Sequence, residues 1–218
     1  MSIIDHNHPV YHKKRSLAGN NKWNGAYYYS KEIVANIIPL VRTDRNWITI
    51  NVPGHGFDHS IVFIHNNLHP EIYDWLSAYR DLILVCGIPE TCAKVSSLGI
   101  PICLPLSIDV EDVKTYIRPK IKHAAFVGRW PKRKGITFPE HVDIIENLPR
   151  KKILQKMAEY EKVYAVGRTA IEAKVLGCKV LPYDPRFPDS DRWKVLDNKD
   201  AAGLLQKQLD EIDGRYSA

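Results

Sequence analysis

A short segment near the middle of the chain has the residue types that bind phosphate groups. It reads VGRWPKRKG at 127–135 and overlaps the end of an apolar run that predicts a β-strand. Gly128 and Arg129 therefore come at the carboxyl end of this strand, and Lys134 follows after a short loop. At such an end a glycine lets the backbone approach a ligand, while a guanidinium and an ammonium neutralise a diphosphate. We expect these residues to bind a diphosphate.

The positive charge of the chain is concentrated around this segment. Residues 114–139 contain eight Lys or Arg and no Asp or Glu, whereas the net charge of the whole chain is +6. This excess fits anionic partners: phosphates on a small molecule, nucleic acid or an anionic membrane surface. The alternative is a solvated basic loop, which is what most runs of like charge form.

A second segment, AVGRTAIEAKVLGCKVLPYD at 165–184, also predicts an anion site. A strand leads through Gly167 into a helix, and the backbone N–H groups and dipole at 167–170 favour negative charge. Glu172, in the first turns of this helix, could accept hydrogen bonds from ribose hydroxyl groups. The alternative is an ordinary βαβ unit with a helix-favouring glutamate near the start of its helix.

Together the two segments resemble a known family. GRWPKRKG matches the G-R-x-x-x-x-K-G pattern of GT-B glycosyltransferases of the glycosyltransferase group 1 family, and EAKVLGCKV matches its E-A-x-x-x-G-x-x-V pattern. The similarity is strong over about 120–184. It implies that the donor diphosphate and ribose are bound by residues of both segments: Gly128, Arg129, Lys134, Gly167, Arg168, Thr169 and Glu172.

The first half of the chain is similar to a shortened acceptor-side domain of the same fold. NKWNGAYYYSKEIVANI resembles its glycine loop and first helix, with Gly25 in the acceptor-side loop. His65 ends a predicted strand and is our candidate catalytic histidine, the alternative being a structural histidine at a strand end. One departure concerns the sugar: many family members have an acidic residue eight positions before the helix glutamate, where this chain has Tyr164.

No metal site is expected from the cysteines or histidines. The four cysteines have no CxxC spacing, and Cys86 and Cys103, which close apolar runs, predict buried reduced thiols. Histidine pairs four apart occur at 55/59 and 65/69, but glycines or a strand end keep each pair off a common helical face. The motifs of P-loop proteins, zincins and the nucleophile elbow are absent from the sequence.

Apolar runs that alternate with helical patterns predict an α/β protein with two small Rossmann-like parallel-sheet domains facing a cleft, as in GT-B enzymes. We expect an N-terminal acceptor-side domain at 1–118 and a C-terminal donor-binding domain at 119–218. The expected strands are 47–52, 60–65, 81–86, 100–106, 123–128, 163–166 and 178–184. The expected helices are 26–41, 70–80, 89–99, 169–177 and 199–212. With no apolar run near about 18 residues and no signal peptide, we expect a soluble cytoplasmic protein.

The resemblance implies a metal-independent glycosyltransferase. Its donor substrate would be a nucleotide-diphosphate sugar, from which the sugar moves to an acceptor hydroxyl, and no further cofactor is implied. Three alternatives stay open: transfer of the sugar to nucleic acid, which the basic charge allows, non-catalytic binding of a nucleotide or nucleotide sugar, and an α/β nucleic-acid-binding protein with no donor pocket. The sequence leaves the nucleotide, the sugar, the acceptor and the stereochemical outcome open.

Overall fold

The structure is a computed structural model that describes residues 3–4, 25–49, 58–64, 70–128 and 136–216. The chain forms two compact units: Met1–Pro105 together with Asn198–Ala218, and Leu106–Asp197. This division differs from the expected boundary after residue 118 at two points. The segment 106–118 belongs to the second unit, and the last helix belongs to the first.

The first unit contains an all-parallel sheet whose described strands follow one another in chain order. These five strands are β1 (Ile3–Ile4), β2 (Asn46–Ile48), β3 (Ser60–Ile64), β4 (Leu82–Cys86) and β5 (Ile100–Cys103). Every residue of β3 and β4 is buried, which is typical of central strands in a parallel sheet covered on both faces.

Helices alternate with these strands, and two of these helices start at a proline. They are α1 (Gly25–Glu32), α2 (Pro70–Ser77) and α3 (Pro89–Val95), and α7 (Asn198–Tyr216) comes from the end of the chain. A proline suits the first helical position, because a backbone N–H there has no acceptor within the helix and proline has no N–H. The helix expected at 26–41 is α-helical only to Glu32 and continues as a π turn at Ile33–Ile37 and a 3-10 turn at Ile38–Leu40.

The second unit contains a four-stranded parallel sheet in its described part. The strands are β6 (Lys122–Val127), β7 (Asp143–Ile145), β8 (Tyr160–Tyr164) and β9 (Lys179–Leu181), and their order across the sheet is β7-β6-β8-β9. The helices of this unit are α4 (Val110–Lys114), α5 (Arg150–Met157) and α6 (Arg168–Val175). Helix α5 packs on β6, β7 and β8, and α6 packs on β8 and β9.

A single lysine joins the carboxyl ends of two of these helices. The Lys120 ammonium donates hydrogen bonds to the carbonyl oxygens of Ala158, at 2.8 Å, and Leu176, at 2.7 Å. These residues cap α5 and α6, where the helix dipole favours a cation. The lysine therefore joins the carboxyl ends of the two helices to each other.

Every expected strand overlaps an observed one, and every expected helix begins within two residues of an observed one, so the α/β class with two parallel sheets is confirmed. The short elements β1, β7 and α4, and also α5, were not predicted from the sequence. Helix α5 has the sequence RKKILQKM, in which only Leu154 and Met157 are buried. Within the described segments, no helix combines the length and the hydrophobicity needed to cross a membrane.

Candidate functional site

The strand order of the second sheet reverses between β6 and β8. From β6 the chain passes to β7 on one side and then to β8 on the other, and β6 and β8 pair in parallel, with Phe126 opposite Tyr164. In open α/β sheets, ligands bind outside the carboxyl ends of the strands at such a reversal. The two segments singled out in the sequence follow these two strands, so their first residues lie at neighbouring strand ends.

Gly128 follows β6 directly and lies in a crowded position. Its N–H donates to the Ile145 carbonyl oxygen at 3.2 Å, which continues the pairing with β7. A Cβ atom added at Gly128 would lie 3.1 Å from the Phe126 ring and 3.7 Å from the Tyr183 hydroxyl oxygen. A side chain at this position would therefore press against an aromatic ring, and glycine avoids that contact.

Gly167 caps the amino end of α6 with a backbone conformation that favours glycine. Its φ is 64° and its ψ is −141°. Such angles are almost restricted to glycine. Arg168 and Thr169 begin the helix and are half-buried. Because β8 ends at Tyr164 and α6 starts at Arg168, this turn places the start of α6 near the end of β8.

Glu172 lies inside an ion network behind this turn. It is only 5% exposed. Its Oε1 accepts a hydrogen bond from Arg150 Nε at 2.9 Å and lies 3.2 Å from Arg168 Nε. Arg150 also donates to Asp112 Oδ2 at 3.2 Å, so the network joins α4, α5 and α6. Glu172 therefore orients the side chains of Arg150 and Arg168. Its expected contact with ribose stays a prediction.

Aromatic side chains form a cluster on one face of the same sheet. Its centre is Phe126, whose ring centroid lies 4.9 Å from that of Tyr183 and 5.5 Å from that of Phe138. Tyr164 makes an edge-to-face contact with Phe138 at 4.9 Å. Every member of this cluster lies on a strand or in a non-helical segment. Loops rather than a helix thus contribute the packing around this part of the sheet.

An open cavity of about 290 Å³ lies beside the aromatic cluster at the carboxyl ends of β8 and β9. Its walls come from the segment before β7, the end of β8 and the segment after β9. The lining residues are Thr137, Phe138, Pro139, Tyr164, Pro182, Tyr183, Asp184, Pro185 and Pro188. The cavity therefore lies on the sheet edge where ligands bind in folds of this class.

A second charged network lies next to the cavity and is centred on Glu140. Its Oε1 accepts a hydrogen bond from Tyr164 Oη at 2.9 Å, and its Oε2 lies 3.0 Å from Lys162 Nζ and 2.8 Å from His123 Nε2. Hydrogen bonds from Lys162 and Tyr164 lower the pKa of Glu140 to about 2. Burial and the Glu140 carboxylate raise the pKa of Tyr164 to about 12. At neutral pH the tyrosine thus stays a hydrogen-bond donor to an ionised glutamate.

Three of the expected site residues lie outside the described residues: Arg129, Lys134 and the candidate catalytic residue His65. Gly25 was expected in a loop, and the structure places it as the first residue of α1. Gly128, Gly167, Arg168, Thr169 and Glu172 all belong to the second unit. That Arg129 and Lys134 belong to the same donor-binding region as these five residues stays a prediction.

The cavity was not predicted from the sequence. Phe138, Tyr183 and Pro188 were not candidates, and Tyr164 was noted only as a departure from a family pattern. A signal was present in LPYDPRFP at 181–188, where three prolines and two aromatic residues lie close together at and after the end of the strand predicted at 178–184. Such a segment is too rigid and too apolar for an ordinary solvated turn.

The described cysteines and acidic residues do not form a metal cluster. All four cysteines are free thiols, and burial raises the pKa of Cys86 to about 11. Cys103 was expected to be buried, but it is exposed, because β5 is an edge strand of the described sheet. Among the residues that the structure describes, no group of three His, Cys, Asp or Glu could hold a metal ion.

No protein family, curated protein or solved structure matches this chain.

Proposed function

We propose that this chain is a glycosyltransferase that moves a sugar from a nucleotide-diphosphate sugar to an acceptor hydroxyl. The main support is the reversal of strand order between β6 and β8. Because β6 and β8 are neighbours, the segments that follow them start at adjacent strand ends. These segments contain the glycines and cations that a diphosphate site needs. The donor would bind to the second unit.

In this proposal the protein stabilises the departing nucleoside diphosphate by charge. Arg129 and Lys134 neutralise the negative charge that grows on the diphosphate as the sugar leaves. Gly128 and Gly167 lack side chains, so the backbone can approach the phosphate oxygens, and the N-terminus of α6 favours an anion. Glu172 holds Arg168 at the start of this helix. Positioning the acceptor against the donor supplies the rest of the acceleration.

Binding of the donor can be tested by thermal unfolding of the full chain. The ligands are UDP, GDP, ADP and CDP and their common sugar conjugates. A ligand at 100 times its Kd adds about 2.7 kcal/mol, which corresponds to a rise in Tm of roughly 5–10 °C for a chain of this size. We expect one nucleotide to raise the Tm, and the double variant Arg129→Ala/Lys134→Ala to lose that rise.

The matched control is Lys207→Ala, which removes a charge from an exposed position on α7 in the first unit. It should keep the full rise in Tm. If none of these nucleotides or conjugates stabilises the wild-type chain, the proposed function is wrong.

Transfer itself is measured as release of the nucleoside diphosphate from the sugar donor identified by binding. Lys134→Ala should lower turnover by two to three orders of magnitude, about 3–4 kcal/mol of lost transition-state stabilisation. Binding without release would instead favour a non-catalytic nucleotide-sugar-binding protein. With nucleic acid as the acceptor, the acceptor affinity should fall steeply as salt is added.

A further inference from the structure

We propose that the cavity between Phe138, Tyr164 and Tyr183 binds the planar base of the nucleotide. This inference rests on the proposed function, because it names the part of the donor that the cavity would take. Its volume of about 290 Å³ lies near the lower end of the range for small-molecule sites. It has room for one ring system and not for a whole nucleotide sugar.

The chemistry of the walls favours a planar apolar ring over a sugar. Three aromatic rings and four prolines line the cavity, and its polar side chains, besides the tyrosine hydroxyls, are Thr137 and Asp184. The Asp184 carboxylate already accepts bonds from Arg186, from Nε at 3.0 Å and from Nη2 at 2.7 Å. A hexose needs polar partners for several hydroxyl groups, whereas a base has two apolar faces that stack on aromatic rings.

The rings that line the cavity are held in place before a ligand arrives. The Tyr164 hydroxyl donates to Glu140, and Glu140 is itself bound by Lys162 and His123. The Phe138 ring packs against both Tyr164 and the buried Phe126. A site whose side chains are already ordered loses less conformational entropy on binding. The cavity therefore has the rigidity expected of a stacking site.

The cavity also lies beside the proposed diphosphate site. Tyr183, which forms part of its wall, has its hydroxyl oxygen 3.7 Å from the position of a Cβ on Gly128. Gly128 is the residue from which the basic loop starts. A nucleotide whose phosphates lie at this strand end would extend its base toward the cavity on the same edge of the sheet.

The test fills the cavity and measures binding by titration calorimetry on the full chain. Pro188→Trp places an indole in the cavity, and Pro119→Trp makes the same change at an exposed position elsewhere in the second unit. The probes are UDP, GDP, ADP and CDP, with inorganic pyrophosphate and glucose 1-phosphate. Pro188→Trp should weaken the best nucleoside diphosphate about tenfold or more, since it removes the stacking of a base. Pro119→Trp should leave its Kd within twofold.

The other probes separate the base from the rest of the donor. Binding of pyrophosphate and of glucose 1-phosphate should not differ between Pro188→Trp and Pro119→Trp. Phe138→Leu, which keeps most of the volume but removes a ring, is a second and milder variant. It should weaken the same nucleoside diphosphate severalfold, and an unchanged Tm without ligand shows that it is folded.

Two results would overturn this inference while leaving the proposed function intact. One is a nucleoside diphosphate that binds Pro188→Trp, Phe138→Leu and the wild type equally well. The other is a loss of glucose 1-phosphate binding in Pro188→Trp with unchanged nucleoside diphosphate binding, which would assign the cavity to the sugar. If no nucleoside diphosphate binds the wild type, both the inference and the proposed function are wrong.

Discussion

The two sheets of this protein are both parallel, but they differ in strand order. The described strands of the first sheet follow chain order from β1 to β5, whereas the second sheet reverses between β6 and β8. In the first unit a charged cluster lies at the amino ends of the strands. In the second unit the cavity and the Glu172 network lie beside carboxyl ends.

The cluster of the first unit links the starts of three strands. Arg45 and His59 each directly precede a strand, and both contact Asp81, which directly precedes a third. Arg45 is 4% exposed and also lies 3.4 Å from Asp213 on α7. In the first unit, charge at the amino ends therefore holds strands and a helix together, whereas in the second unit the cavity and the Glu172 network lie at the edge of the sheet that we propose binds the donor.

The largest expected effect compares one buried phenylalanine in each sheet. Phe63 on β3 and Phe126 on β6 are both at most 2% exposed. Phe63→Ala and Phe126→Ala should each lower the free energy of unfolding by about 3–5 kcal/mol, because each leaves a cavity in a core. Urea unfolding measures this loss.

The binding of nucleotide should separate these two variants. Phe126 packs against Phe138 and Tyr183 beside the cavity, so Phe126→Ala should lose nucleotide affinity at temperatures where it is still folded. Phe63→Ala should keep it. Equal affinities in the two folded variants would remove the distinction between a structural sheet and a binding sheet.

The second prediction compares a buried carboxylate with an exposed one. Glu172→Gln leaves Arg150 and Arg168 without their buried partner charge and should destabilise the protein by about 3 kcal/mol. Asp81 has a positive φ, which asparagine also tolerates, and its side chain is 46% exposed. Asp81→Asn should therefore lower the free energy of unfolding by about 1 kcal/mol or less. Denaturant unfolding of both variants measures the difference, and similar losses would contradict it.

The third prediction compares two glycines. Gly167 has a φ of 64°, so Gly167→Ala should cost about 1–2 kcal/mol, although an added Cβ would only touch Leu106 at 3.8 Å. Gly203 lies within α7 with no atom within 4 Å of an added Cβ. Gly203→Ala should therefore raise stability by about 0.5–1 kcal/mol. The Tm of Gly167→Ala should fall and that of Gly203→Ala should rise. Shifts of the same sign in both variants would contradict the backbone strain proposed at Gly167.

The smallest expected effect is a difference in pH dependence, first at His59. Its hydrogen bond to Asp81, supported by Asp44, raises the pKa of His59. The stability that this histidine contributes is then fully present below pH 6.5 and is lost as the pH rises through the raised pKa. At pH 5.5 the free energy of unfolding of the wild type should exceed that of His59→Asn by less than about 1 kcal/mol, and at pH 9 the two proteins should be equally stable.

The second unit should respond at acid pH instead. The pKa of Glu140 is lowered to about 2, so its contribution is present above pH 4.5 and is lost as the pH falls toward 2. The stability difference between wild type and Glu140→Gln should therefore shrink between pH 4.5 and pH 2. Unfolding curves at several pH values test both residues. A His59→Asn effect that grows above pH 7 would contradict the assignment in the first unit.

The periodicity of apolar residues was enough to predict most of the fold. Runs such as LILVC and SIVFI are long enough and apolar enough to form strands only when both faces are buried, which predicts a parallel sheet. Helices that begin at Pro70 and Pro89 could be located because proline suits the first turn. In contrast, α5 was missed because, with three lysines and one arginine among its eight residues, it has only a narrow buried stripe.

The candidate site was predicted only in part. Gly128 and Gly167 were found from local patterns, because a glycine at a strand or helix end has a local cause. The partners of Glu172 and the walls of the cavity come from residues far apart in the chain, such as Phe138 and Tyr183. No local pattern reports which of these distant segments meet.

The sequence by itself determined most of the segments that become strands and helices and which of them offer glycines and cations. These properties depend on each residue and its near neighbours. The tertiary structure alone decided that the strand order reverses between β6 and β8 and that Glu172 is bound by Arg150. It also decided that loops before β7 and after β9 line an open cavity. Such features arise from contacts between residues distant in the chain, which form only when the sheet assembles.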